Sequence, residues 1–249
     1  ALTEAVCCVA REAGHFLKEE RKSFRREVVQ EKHAHDYVSY VDKASEKKVV
    51  SALRKLLPEA GFIAEEGSAA YSDETYCWVV DPLDGTTNYI HDNAPYCVSI
   101  ALRDKQSLLL GVVYEPCRDE CFYAWKGGGA YVNGERLRVS LVSEPKDAFV
   151  VTELPYNFEQ YARTGEHLIH ELYGKVAGIR MNGSAALALC YVAAGRFDAW
   201  LEAFIGKWDF SAAALMVLEA GGKGTDFLGN ENFIEGHHII ATNGPLHPL

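Results

Sequence analysis

Basic residues are in short supply: 25 Lys and Arg stand against 35 Asp and Glu, a formal net charge of −10 at pH 7. Without a surplus of cations to neutralise phosphates, neither a nucleic-acid nor an anionic-membrane partner is expected. Also missing are an apolar run of the ~18 residues a membrane span requires and a charged-then-apolar leader, so a cytoplasmic location is expected. No linker rich in Pro, Gly or Ser, no repeat and no low-complexity tract divides the 249 residues. One compact unit over residues 1–249 is therefore expected, with sub-layers of roughly 1–145 and 146–249. Hydrophobic residues at 48% and charged residues at 24% exclude disordered, collagen-like and coiled-coil chains. A chain of this length can bury roughly 70% of its unfolded surface, so no disulfide scaffold is needed. The seven cysteines are an odd set and read as thiols, most of them buried in apolar runs, in a reducing compartment. Cys117 and Cys121 lack the second cysteine pair or nearby histidines of a zinc site. The sequon Asn182-Gly183-Ser184 carries no meaning in that compartment.

Periodicity sets out the elements. Val6, Val9, Ala13, Phe16 and Leu17 fall at helical spacing and predict an amphipathic helix from Leu2 to about Arg26. A second helix is expected from Asp42, read as its N-cap, to Leu57, where Pro58 stops it. Runs rich in β-branched and aromatic residues predict strands at 61–64, 76–80, 96–102, 108–114 and 121–125, in a mostly antiparallel sheet. Asn133-Gly134 signals a type I′ hairpin between 130–132 and 137–139. In the second half, strands are expected at 148–152, 197–201, 222–226 and 238–242, and helices at 158–173, 184–194 and 209–220. Alternation of this kind favours a layered α/β arrangement.

The densest chemical signal is Asp81-Pro82-Leu83-Asp84-Gly85-Thr86-Thr87-Asn88-Tyr89, which follows the apolar run Trp78-Val79-Val80. The strand is expected to stop at Pro82, which forces two carboxylates into one tight turn. Crowded carboxylates require protons, basic groups or metal ions as compensation, and the immediate neighbours offer no Lys or Arg. Oxygen donors of this kind suit hard divalent cations such as Mg²⁺. Gly85-Thr86-Thr87 adds free backbone amides suited to a phosphate oxygen. The alternative reading of the turn is ordinary Asx punctuation. Glu65 and Glu66 end another apolar run, and Asp209 opens an apolar helix; alone they read as solvated loop charges and an N-cap. Gly183-Ser184-Ala185 places small residues at a helix start, which serves either an anion or close packing.

In combination and order these segments resemble the inositol monophosphatase family over nearly the whole chain. The resemblance implies an α+β fold of the layered αβαβα sandwich type and Mg²⁺-dependent hydrolysis of a small phosphate monoester, with myo-inositol monophosphate as substrate. It implies two or three Mg²⁺ ions held by Glu65, Asp81, the carbonyl of Leu83, Asp84 and Asp209, with Asp81 bridging two ions. Asp42, last residue of Asp36-Tyr37-Val38-Ser39-Tyr40-Val41-Asp42, and Thr86 would orient or deprotonate the attacking water, with Glu65 among the catalytic residues. The amides of Gly85 and Thr86 would hold phosphate; Gly183, Ser184, Ala185 and Glu202 would face the polyol hydroxyls. Lithium sensitivity and a homodimer are implied on the same basis. The chain departs from relatives at Gly206-Lys207, where a histidine and a small residue are common, and at Ser39 and Ser184, where threonine is frequent. It also stops soon after Asn243-Gly244, short of the usual terminal helix. The related phosphatases of fructose bisphosphate, nucleotide 3′(2′),5′-bisphosphate and histidinol phosphate share the metal acids, and a non-catalytic metal-binding regulator is a more distant alternative. Gly127–Gly129 and Gly221-Gly222-Lys223-Gly224 lack the order of a nucleotide-binding loop and read as turns. The pairs His33/His35, His167/His170 and His237/His238 read as surface residues.

Overall fold

The computed structural model describes residues 1–33, 36–69, 74–155 and 158–248. The chain opens with α1 (Leu2–Arg21), a small antiparallel ribbon of β1 (Gln30–His33) and β2 (Asp36–Val38), and α2 (Tyr40–Leu56). β3 (Gly61–Ala64), β4 (Cys77–Asp84), the single-turn helix α3 (Thr86–Ile90), β5 (Cys97–Arg103), β6 (Leu108–Glu115), β7 (Glu120–Trp125), β8 (Gly129–Val132) and β9 (Glu135–Arg136) follow. The second half comprises β10 (Phe149–Thr152), α4 (Phe158–Leu172), β11 (Gly178–Arg180), α5 (Ala185–Ala193), β12 (Ala199–Ala203), α6 (Lys207–Glu219), β13 (Lys223–Thr225) and β14 (His238–Thr242).

Strands β3 to β9 form a seven-stranded sheet in chain order, parallel between β3 and β4 and antiparallel elsewhere. A five-stranded mixed sheet has the order β11-β10-β12-β14-β13. Side-chain alternation decides what each face of the large sheet covers. In β4, Trp78 and Val80 join the core under α1 and α2, while Val79 joins the core that contains α5 and α6. All nine residues of α5 are buried, as an all-apolar helix between two sheets requires. With α4 packed on the five-stranded sheet, the layers run helix, sheet, helix, sheet, helix, the αβαβα sandwich expected from the resemblance.

Several expectations are corrected. The first helix ends at Arg21 rather than near Arg26. The N-cap of α2 is Ser39, whose hydroxyl accepts the Val41 N–H at 3.1 Å; Asp42 lies three residues on and accepts the Ser39 N–H at 2.8 Å. This reciprocal capping box leaves Asp42 inside the helix. Strand β4 continues through Pro82 to Asp84, because its register to β5 shifts between Asp81 and Asp84 and the proline sits in that bulge. Asp209 is likewise not an N-cap: α6 is capped by Gly206, whose N–H donates to Asp209 Oδ2 at 2.9 Å. The hairpin turn has φ of 48° at Asn133 and 92° at Gly134, as type I′ demands, but its second strand is the short pair Glu135–Arg136. All seven cysteines are free, with Cys77, Cys97, Cys121 and Cys190 buried and Cys8 and Cys117 exposed. Among the described residues, no helix is long and apolar enough to cross a membrane.

Candidate functional site

The bulge in β4 swings consecutive carboxylates to one end of the large sheet. Asp81 and Asp84, both buried, meet the half-buried Asp209 from the first turn of α6, and one oxygen from each lies within 4.8 Å of the others. Asp81 Oδ1 accepts the Leu83 N–H at 2.9 Å, which ties the first acid to the turn. Asp84 Oδ2 accepts the Ser184 hydroxyl at 2.6 Å and the Ala186 N–H at 2.8 Å, so the start of α5 fixes the second acid from 100 residues away. Burial pushes Asp81 and Asp209 well above the ordinary aspartate range, and the neighbouring acids push further in the same direction. For Asp84, burial outweighs the hydrogen bonds from Ser184 and Ala186 and raises it to about 6. Three crowded, desolvated carboxylates held by fixed donors, with only oxygen to offer, fit a hard divalent cation better than any protein counter-charge.

Glu65 follows β3 and borders the same cavity. It is raised to about 7 by burial, opposed by Lys32, whose Nζ lies 3.0 Å from Glu65 Oε1 and also contacts Glu66 Oε1. Lys32 comes from β1, so the cation that is missing from the local sequence around the acids reaches Glu65 through a tertiary contact. Glu46 of α2 accepts the Glu66 and Ser68 N–H groups, each at 2.7 Å, and so braces the Glu65 turn.

Beside the acids, Thr86 Oγ1 lies 3.1 Å from Asp42 Oδ1 and 3.0 Å from the Leu83 carbonyl. Its single hydroxyl proton serves one of these acceptors at a time. Burial raises Asp42, against hydrogen bonds from Ser39 and Thr86 that lower it. Gly85 has φ of 93°, and a Cβ there would sit 3.1 Å from the Gly183 carbonyl and 3.0 Å from that of Pro95. Only glycine combines this left-handed backbone with so close an approach. Asn88 pins the approach by donating to the carbonyls of Pro95 at 2.7 Å and Asn182 at 3.1 Å.

A cavity of about 230 Å³ opens next to the acids and is bordered by Gly85, Glu153, Gly183, Ala185, Glu202 and Phe204, among others. Ser184 borders it too, but its hydroxyl is committed to Asp84. Glu202 is buried with Oε2 unpartnered, and desolvation raises it well above the usual range. Glu65, Asp84, Asp209, Gly85, Gly183, Ser184, Ala185 and Glu202 thus border one cavity, while Asp81 meets Asp84 and Asp209 and is linked by successive hydrogen bonds to Leu83, Thr86 and Asp42. Lys207 points elsewhere and pairs with Glu235, leaving Gly206 at the cavity. The residues not anticipated from sequence are Lys32, Glu46 and Glu153. Glu153 follows the apolar strand β10 just as Glu65 follows β3, and that strand-end carboxylate was the available signal. Among the histidine pairs, His167 and His170 are exposed, His237 and His238 pack near Phe204, and His35 lies outside the described residues.

The model of the inositol monophosphatase family matches residues 1–249. The chain belongs to the inositol monophosphatase family. It is 44% identical over 243 residues to the Nus factor SuhB of Pseudomonas aeruginosa, covering 94% of this chain and 88% of that one. Its structure superposes on the extragenic suppressor protein SuhB of Bartonella henselae with a TM-score of 0.91 and 37% identity, covering 98% of this chain and 94% of that chain. The inositol monophosphatase of Anabaena (Nostoc) gives a TM-score of 0.87 at 34% identity, covering 98% and 90% respectively. Membership in the inositol monophosphatase family supports a phosphomonoesterase acting on a small phosphate ester; the family generally uses Mg²⁺, for which Asp81, Asp84 and Asp209 form a suitable cluster.

Proposed function

We propose that this protein releases phosphate from myo-inositol monophosphate in a Mg²⁺-dependent reaction. The observation that carries the reading is the meeting of Asp81, Asp84 and Asp209 within 4.8 Å, next to the Thr86–Asp42 hydrogen bond. Glu65, Asp81, the Leu83 carbonyl, Asp84 and Asp209 would hold two or three Mg²⁺ ions. Bound there, Mg²⁺ inverts the local field for a phosphate dianion and acidifies water. The chain's own residues do the rest. Thr86 Oγ accepts a proton from the attacking water as its own proton passes to Asp42, which burial has made a stronger base. The hydroxide oxygen bonds to phosphorus, the ester P–O bond breaks, and the departing alkoxide takes up a proton from a second water molecule. Amides of Gly85 and Thr86 hold the phosphate oxygens, backbone groups of Gly183 and Ala185 face the alcohol, and Ser184 positions Asp84. Glu202 accepts a hydrogen bond from a hydroxyl of the alcohol, which would satisfy its unpartnered oxygen.

Several curated relatives bear the name Nus factor SuhB. The complete donor set and the Thr86–Asp42 pair favour catalysis over a purely regulatory role here. Lithium inhibition, a homodimer and a cytoplasmic location belong to this reading on family grounds. Assaying inositol, sugar, bisphosphate and nucleotide phosphates with and without Mg²⁺ tests it. The inositol ester should be preferred and the reaction should require the metal; preference for a bisphosphate would overturn the substrate, and activity on none would overturn the phosphatase.

A further inference from the structure

Phe204 has φ of 62°, a left-handed backbone that a bulky aromatic residue rarely adopts. It follows β12, two residues after Glu202, and borders the cavity. One part of the ring stacks on Tyr161 of α4, with centroids 5.2 Å apart and planes 28° apart, and His237 packs against it at 5.9 Å. Yet 44% of Phe204 remains exposed. The backbone is held as well: the Phe204 N–H donates to His238 Nδ1 at 3.4 Å, and the Ile205 N–H donates to the His237 carbonyl at 3.0 Å. A strained aromatic residue held by two neighbouring rings, yet partly exposed at the border of the cavity, is placed to meet a ligand there.

The rest of the cavity says what that ligand would be. Glu202 offers an unpartnered, buried Oε2, and Glu153 is anchored by the Gly183 N–H at 2.8 Å and by the Asn182 N–H. Among the described lining residues there is no Lys, Arg or His. A second phosphate or carboxylate would meet two carboxylates with nothing to neutralise it, whereas hydroxyl donors would satisfy them. The complementary ligand is amphipathic: a ring with hydroxyls along one edge and C–H groups on one face.

We infer that Phe204 is a specificity-determining residue, whose ring face packs on the C–H face of a polyhydroxylated cyclic alcohol while Glu202 and Glu153 accept its hydroxyls. This inference rests on the phosphatase reading above and assigns the recognition of its ring alcohol to Phe204. It also sets bisphosphates among the poor substrates.

The test compares kcat/KM for myo-inositol 1-phosphate with that for glycerol 2-phosphate, an acyclic ester without a ring face, in wild type, Phe204→Ala and Phe204→Trp. Loss of an aromatic packing contact should lower the ring-to-acyclic ratio of Phe204→Ala roughly three- to tenfold, chiefly through KM. Phe204→Trp should restore most of it. Phe204→Gly, which relieves the left-handed backbone, should show the same loss of preference with a Tm no lower than wild type, separating specificity from folding. An unchanged ratio in both Phe204→Ala and Phe204→Gly would overturn the role of Phe204. Wild-type inactivity on both esters with Mg²⁺ would instead overturn the phosphatase reading.

Discussion

Thr86 Oγ1 and Asp42 Oδ1 stand 3.1 Å apart across 44 residues of chain, joining the turn after β4 to the first turn of α2. Because Ser39 also binds Asp42, through its N–H at 2.8 Å and its hydroxyl at 2.7 Å, the carboxylate has one oxygen fixed by the helix cap and the other free for Thr86. Thr86→Ala and Asp42→Asn should each lower kcat by roughly 10²- to 10⁴-fold. Since the two act as one relay, the double variant should be little worse than either single variant. Steady-state kinetics on all three proteins checks this, and additive losses would break the link between them.

Protonation and metal uptake compete at the acids. Burial holds Asp84 at about 6 and Glu65 at about 7. Unfolded, such groups titrate near ~4, so the metal-free fold binds more protons than the unfolded chain between these values. Their contribution to stability is fully present below about pH 4 and is lost as pH rises through about 6 to about 7. Mg²⁺ offsets that loss, and its binding releases protons. The rise in Tm on adding Mg²⁺ should therefore grow from about pH 5 to about pH 8, as differential scanning calorimetry would record. A shift independent of pH would place the metal elsewhere.

Gly111 in β6 reports on the fold separately from the chemistry. A Cβ there would lie 2.3 Å from the Ala212 carbonyl oxygen of α6, a backbone atom that cannot step aside. Gly111→Ala should cost about 1–3 kcal/mol through overpacking between the large sheet and the central helix layer. Denaturant unfolding measures this directly, and a neutral effect would mean that α6 can back away from the sheet.

Much of this architecture was legible in sequence because buried elements leave compositional and periodic traces. Runs of β-branched and aromatic residues marked β4 to β7, and apolar helices marked α5 and α6. The Asp81-to-Tyr89 string, Glu65 and Asp209 located the acids. What escaped depends on tertiary contact or on short exposed pieces. The β1–β2 ribbon has no buried face long enough to show a period, so Lys32 and its reach to Glu65 left no local trace. Ser39 and Asp42 are both cap-competent residues of one capping box, and the acid was read as the boundary where the serine forms it. Pro82 signals a strand end in isolation; the bulge that tolerates it exists only because β5 is alongside. The left-handed Phe204 has no sequence signal, since a phenylalanine there reads as one more apolar residue.

The central claim is that Asp81, Asp84 and Asp209 gather a divalent metal without which phosphate is not released. Phosphate release from myo-inositol 1-phosphate should be followed in wild type and Asp81→Asn after chelation with EDTA and again after adding Mg²⁺. Wild type should fall to background and recover on adding Mg²⁺, while Asp81→Asn should stay on the order of 10³-fold or more below it. Undiminished release in EDTA, or near-normal turnover by Asp81→Asn, would contradict the account.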